Sequence, residues 1–218
     1  MSKKRKKYIP ALKFHWLTRL YDPLMKMMKI ETLKKRLIME ADLLPNQRIL
    51  DLASGTGTFA LMLKEIQPRA AIIGLDADPQ VLEIAQQKAT NKRIDITFQQ
   101  GLSSDLPFED DQLDKVFSSL FFHHLTLDMK QKTLEEAFRV LTPGGDIYIL
   151  DFDRPQNLWM RITFFSIQLL DGFETTRDHV KGVILESLHE EGFTEVKETD
   201  HFNTIAGTIR LYHARKPV

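Results

Sequence analysis

The stretch that most constrains the fold is RILDLASGTGTFA, Arg48 to Ala60, an apolar strand-like run that meets a glycine turn and then a helical pattern. Strand candidates recur at Ala70–Leu75, Ile94–Gln99, Lys115–Ser119 and Asp146–Phe152, and helix candidates lie between them at Thr58–Ile66, Pro79–Ala89 and Met129–Val140. On the last helix Leu134, Ala137, Phe138 and Leu141 form one stripe suited to a sheet, and Thr142-Pro143-Gly144-Gly145 then turns the chain. Strands alternating with helices of this length predict parallel pairing in a doubly wound α/β sheet. Near the end, FTEVKET and GTIRLYHARK read as adjacent strands with a short link, after a helix near Thr176–Glu190. The expectation is a seven-stranded, mostly parallel sheet with one antiparallel C-terminal strand.

A length of 218 residues suits one well-buried domain. Residues 1–44 read as a helical extension or flap, with Leu17, Leu20, Leu24 and Met28 at helical steps and Pro23 as a break; 45–218 form the main domain, with a helical insertion at about 155–190. The 30 basic residues balance the 30 acidic ones, so nothing global marks a nucleic-acid binder. The absence of cysteine excludes disulfides and thiol catalysis and agrees with a cytoplasmic location. No run reaches the roughly 18 apolar residues of a membrane span. Leu158–Leu170 comes nearest and admits two readings, a lid or core helix and a peripheral membrane contact. The basic run Lys3–Lys7 likewise reads as a solvated tail or as steering toward an anionic surface.

In a doubly wound sheet, ligands sit at the carboxyl ends of strands where the winding reverses. Gly55-x-Gly57-x-x-Ala60 fits the dinucleotide fingerprint, and Asp76 ends the next strand where a carboxylate accepts from ribose hydroxyls. Asp78 before Pro79 reads instead as a helix N-cap. These features serve NAD and an adenosyl ligand equally. Asp51 separates them: a carboxylate beside the glycine turn repels a pyrophosphate and attracts an ammonium. S-adenosylmethionine carries ribose, adenine and an ammonium but no phosphate. The other reading of Asp51 is a cap on a neighbouring loop.

Four stretches, ILDLASGTGTFALML, IIGLDADPQVLEIAQQKA, ITFQQGLSSDLPFEDDQLDKVFSSLFFHHL and AFRVLTPGGDIYILDF, together resemble the class I S-adenosylmethionine-dependent methyltransferases, in the small-molecule branch of the ubiquinone/menaquinone C-methyltransferases. The resemblance covers roughly Gln47 to Phe152 and implies the Rossmann-like class I fold. It implies that Asp51 meets the methionine ammonium, that Ala53, Ser54, Gly55, Thr56 and Gly57 line the methionine portion, and that Asp76 holds the ribose with Ala77 against the adenine. Gly101, Leu102 and Ser103 then border the adenine, Ser118 faces the methyl group with Leu120 and His124 nearby, and Tyr21, with Asp22, lies near the cofactor. Two departures stand out. Leu102 replaces a common acidic residue, which leaves adenine recognition to Ser103, Ser104 or a backbone carbonyl, and Ala53-Ser54 replaces a frequent Gly-Cys.

Methyl transfer from a sulfonium is an in-line displacement, so the protein chiefly aligns the reactants and excludes water. A base is needed only where the nucleophile loses a proton. His124 and Asp151 are the catalytic candidates, with His123 and Asp153 behind them; packing beneath the cofactor is the other reading of the histidines, and helix capping that of the aspartates. Phe164, Phe165 and Phe173 suit an apolar small-molecule substrate or an ordinary lid core. The expected function is methyl transfer to a small molecule. The rivals are a catalytically silent S-adenosylmethionine-binding scaffold and an NAD-dependent oxidoreductase.

Overall fold

The computed structural model describes residues 30–153, 183–204 and 207–218. Seven strands form one sheet: β1 (Arg48–Leu52), β2 (Ala71–Asp76), β3 (Thr97–Gln100), β4 (Leu113–Ser119), β5 (Leu141–Asp153), β6 (Thr194–Thr204) and β7 (Gly207–Arg215). Their order is β3-β2-β1-β4-β5-β7-β6. Pairing is parallel from β3 through to β5, and β7 runs antiparallel to both β5 and β6. The expected mostly parallel sheet with one antiparallel C-terminal strand is therefore present. The winding reverses between β1 and β4, whose carboxyl ends meet at the register pair Leu52–Ser118.

The helices are α1 (Ile30–Glu40), α2 (Thr58–Ile66), α3 (Pro79–Lys92), α4 (Leu127–Val140) and α5 (Val183–Glu190), with a 3-10 turn at Phe122–His124. Strand alternation sends Ile49, Phe117, Tyr148 and Leu150 to one face, where Ile30, Leu33 and Leu37 of α1 and Phe59 and Leu63 of α2 cover them. The other face carries Leu50, Val116, Ile147 and Ile149 beneath Leu134, Ala137 and Val140 of α4 and Leu188 of α5. Both sheet faces are thus removed from water, as a parallel sheet requires. The described part of the expected 1–44 extension, residues 30–44, contains α1, which packs into the main core; residues 1–29 and most of the insertion near 155–190 lie outside the described residues.

Several boundaries differ from expectation by one to five residues, two of them for clear local reasons. β3 starts at Thr97, because Arg93 adopts a left-handed conformation and the Ile94 amide closes the end of α3 onto the Ala89 carbonyl at 3.0 Å. β5 begins at Leu141, but its register with β4 jumps from Leu113–Leu141 to Lys115–Asp146, so the Thr142–Gly145 turn loops out of the strand.

Candidate active site

At the carboxyl end of β1 the backbone turns at once, with Ala53, Gly55 and Gly57 all at positive φ (59°, 53° and 75°). The turn rests against β2: the Ser54 amide donates to the Leu75 carbonyl at 2.9 Å and the Gly55 amide to Asp76 Oδ2 at 2.9 Å. A Cβ on Gly57 would come within 2.7 Å of Ala85 Cβ, whereas one on Gly55 meets no described atom within 4 Å. Gly57 therefore lets the turn close onto α3, and Gly55 borders open space. Thr56 accepts a hydrogen bond from Lys88 Nζ at 2.9 Å, which ties the turn to α3 as well.

Asp51 stands under this turn with 1% of its surface exposed, and its Oδ2 has no hydrogen-bond partner among the described residues. Burial pushes its carboxyl up to about 7, against the opposing influence of Lys34 on α1 and of the Ala60 amide. Such an orphaned buried acceptor is costly and calls for a cationic or donor partner. Asp76 is also raised by burial, although its two oxygens accept from the Asp78 amide at 3.0 Å and from Gly55. Each of those oxygens retains a second lone pair for a ligand hydroxyl. Asp78 caps α3, accepting from the Gln80 amide at 2.9 Å with Pro79 next in line, as expected.

Beyond β3, the Gly101 amide donates to the Asp76 carbonyl at 3.0 Å, which brings Gly101 beside Asp76, with Leu102 and Ser103 next in the chain. Ser103 Oγ is engaged with Thr133 Oγ1 of α4 at 2.9 Å, while Ser104 Oγ is buried without a hydrogen-bond partner among the described residues. Arg139 pins this loop. It donates to the carbonyls of Phe108 (2.8 Å) and Leu106 (3.2 Å) and pairs through two nitrogens with Glu136, which in turn accepts from the Leu106 amide at 2.6 Å. Sequence reasoning did not single out this clamp; the spacing of Glu136 and Arg139 on one helix face was its only local signal.

At the carboxyl end of β4, Ser118 is fully buried and its Oγ has no hydrogen-bond partner among the described residues. Leu120 follows at φ 57°, a left-handed conformation uncommon for a non-glycine residue. The 3-10 turn then presents His123, whose Nδ1 lies 2.6 Å from Asp151 Oδ1 on β5. Asp151 is fully buried and also accepts from the amides of Phe121 (3.0 Å) and Phe152 (2.7 Å). Of the two histidines, the aspartate holds His123, the one weighted less from sequence, while the His124 ring lies against it with centroids 3.9 Å apart. Asp151 lies within β5, and the residues that follow Asp153, where a capped helix would stand, lie outside the described residues. Tyr21, Asp22, Phe164, Phe165 and Phe173 lie outside the described residues.

The sheet order, the switch point at β1 and β4, and a carboxylate at the end of each of β1 and β2 define a nucleoside-binding α/β enzyme. Residues 49–145 match the family described as "Methyltransferase domain". Among curated relatives, the demethylmenaquinone methyltransferase of Deinococcus radiodurans is 43% identical over 50% of this chain and 44% of its own length. The ubiquinone/menaquinone biosynthesis C-methyltransferase of Proteus mirabilis is 31% identical over 99% of this chain and 94% of its own. The first relatives are matched over about half of their length (44% and 49%). The solved magnesium protoporphyrin IX methyltransferase of Synechocystis, with S-adenosylhomocysteine bound, superposes with a TM-score of 0.69 at 18% identity, over 88% of this chain and 84% of that one. The chain belongs to the S-adenosylmethionine-dependent methyltransferases, in the ubiquinone/menaquinone C-methyltransferase family.

Proposed function

We propose that this protein transfers a methyl group from S-adenosylmethionine to a small apolar acceptor of the reduced-quinone kind. The observation that carries this reading is Asp51, a buried carboxylate with an unpartnered oxygen at the end of β1. The methionine ammonium satisfies it, while Gly55 and its neighbours Ala53, Ser54, Thr56 and Gly57 line the amino-acid portion. Asp76 takes the ribose hydroxyls, and Ala77 with Gly101, Leu102 and Ser103 borders the adenine. The Ser104 hydroxyl, without a hydrogen-bond partner among the described residues, stands in for the acidic residue that Leu102 replaces. Ser118 faces the transferred methyl. When bound, the cofactor supplies an electrophilic methyl on a sulfonium leaving group. The chain's own residues hold the two reactants in line and keep water away.

The acceptor class rests on the names of relatives, which include a demethylmenaquinone methyltransferase and a ubiquinone/menaquinone C-methyltransferase. A ring carbon attacks a sulfonium methyl only when electron-rich, so the acceptor is the quinol and not the quinone. Among the described residues no helix is long and apolar enough to cross a membrane.

Two measurements test the reading. Calorimetry should show S-adenosylhomocysteine binding that D51N weakens by about 10- to 100-fold, the value of a charge-assisted bond to a buried carboxylate. Because burial raises the Asp51 carboxyl to about 7, wild-type affinity should climb as pH rises toward 7, by up to about tenfold per pH unit, and then level off. D51N should lose that slope. Mass spectrometry should then find a methylated product from S-adenosylmethionine and a reduced short-chain demethylmenaquinone. Binding without product from any quinol in a panel supports the silent scaffold instead.

A further inference from the structure

Resting on the methyltransferase reading, we propose that His123 is the general base that removes the acceptor's proton, and that Asp151 is the residue that aims it. The geometry is that of a base with an orienter. Asp151 is fully buried, and its partners among the described residues include the amides of Phe121 and Phe152 and the His123 ring nitrogen. A carboxylate that already receives two backbone N–H groups acts as an acceptor, so the 2.6 Å contact is Nδ1–H donating to Oδ1. That fixes the tautomer. The neutral ring then carries its basic lone pair on Nε2, turned away from the carboxylate.

The position suits the task. Asp151 lies two residues beyond Ile149, the register partner of Ser118, so the pair sits one strand from the methyl-facing serine. His123 is held from several sides: Asp151 on β5, the Phe152 ring edge-on at 5.3 Å, and the His124 ring. Arg210 of β7 lies opposite Asp151 in register and pairs with Glu198. A histidine fixed to this degree has little rotamer freedom left to lose when substrate arrives.

The acceptor's carbon forms a bond to the methyl carbon, the methyl–sulfur bonding pair stays on sulfur as a thioether, and the proton displaced from the acceptor passes to His123 Nε2. The resulting imidazolium is stabilised by Asp151, which does not itself take the proton.

The test compares wild type with H123A, H124A and D151N, using reduced short-chain demethylmenaquinone and S-adenosylmethionine. H123A should lose about 100-fold or more in kcat. Its S-adenosylhomocysteine affinity, read by calorimetry, should stay within about threefold of wild type, showing an intact cofactor site. Added imidazole should restore part of the H123A rate, and the acid limb of the wild-type kcat profile should vanish. H124A should lose much less. D151N should lose at least about tenfold in kcat, and nitrogen NMR of the His123 ring should show Nδ1–H in wild type and a shift toward Nε2–H in D151N.

An H123A rate within about threefold of wild type across the pH range overturns the proposal, as does a larger loss in H124A. If the wild type turns over no quinol, the NMR arm still decides, because an Nε2–H tautomer in the wild type leaves no base to act. Failure of the methyltransferase reading has a separate signature, namely no S-adenosylhomocysteine binding by the wild type.

Discussion

A methyl group added at Gly57 would meet Ala85 Cβ at 2.7 Å and Phe98 Cζ at 2.9 Å, whereas one added at Gly55 meets no described atom within 4 Å. Both residues hold positive φ, so alanine at either place carries a backbone cost of about 1 kcal/mol. G57A adds overpacking against α3 and β3 and should cost about 2–4 kcal/mol in urea unfolding. G55A should cost only the backbone term but should weaken S-adenosylhomocysteine binding by at least about tenfold in calorimetry, because its Cβ would enter the space proposed for the cofactor. A G55A protein as unstable as G57A would show that Gly55 also serves packing. The sequence pattern assigned both glycines to one turn, and it could not divide their roles. That division depends on Ala85 and Phe98, which approach Gly57 only after α3 and β3 have docked.

Among the secondary-structure elements, α4 does more than cover the sheet. Arg139 and Glu136, one turn apart on it, make five hydrogen bonds that fix Leu106 and Phe108 and join the two side chains. The Glu136 carboxyl is held below its ordinary range, first by the Arg139 guanidinium and then by the Leu106 amide, with burial opposing. R139A should therefore lower stability by about 1–3 kcal/mol and should raise hydrogen exchange at residues 102–110 more than elsewhere. Uniform loss of protection would mean that the clamp stabilises the whole domain and not this loop. Elements with strong periodicity were readable from sequence, so β1 and α2 fall on their expected limits. The Thr142–Gly145 turn was also readable, though not its looping out of a longer β5. The His123–Asp151 pair was not, because its members are 28 residues apart and meet only through β4–β5 pairing. In the sequence the two appeared as separate candidates.

On the scale of the whole molecule, the end of the sheet away from the site is stitched by one acid. Asp146, at the start of the regular β4–β5 pairing, is buried and accepts from Lys115 of β4 and from His213 and Arg215 of β7, each at 2.9 Å. Burial works to raise its carboxyl, and the bonds from His213, Arg215 and Lys115 outweigh it, holding the group well below the usual carboxylate range. This stability is fully present above the unfolded-state value of 3.8 and is lost as pH falls below it toward the folded value. D146N should cost about 3–5 kcal/mol at pH 7, since it leaves the buried Lys115 ammonium uncompensated. The gap between variant and wild type in urea midpoint should narrow at pH 3. An unchanged gap would place the effect in packing and not in charge.

The placement of β7 between β5 and β6 also sets an order of events. β6 and β7 are neighbours in the chain and pair antiparallel, so they form a local hairpin, while β5 waits for a partner that arrives 54 residues after Asp153. At about 5–20 residues per second of synthesis, that edge stays open for several seconds. During that interval β5, paired with β4 on one side, presents an open edge on which an extended segment can add. The β6–β7 hairpin is therefore also the guard of the sheet, and a slow or damaged one would be felt first as misassociation of the nascent chain, before any loss of catalysis.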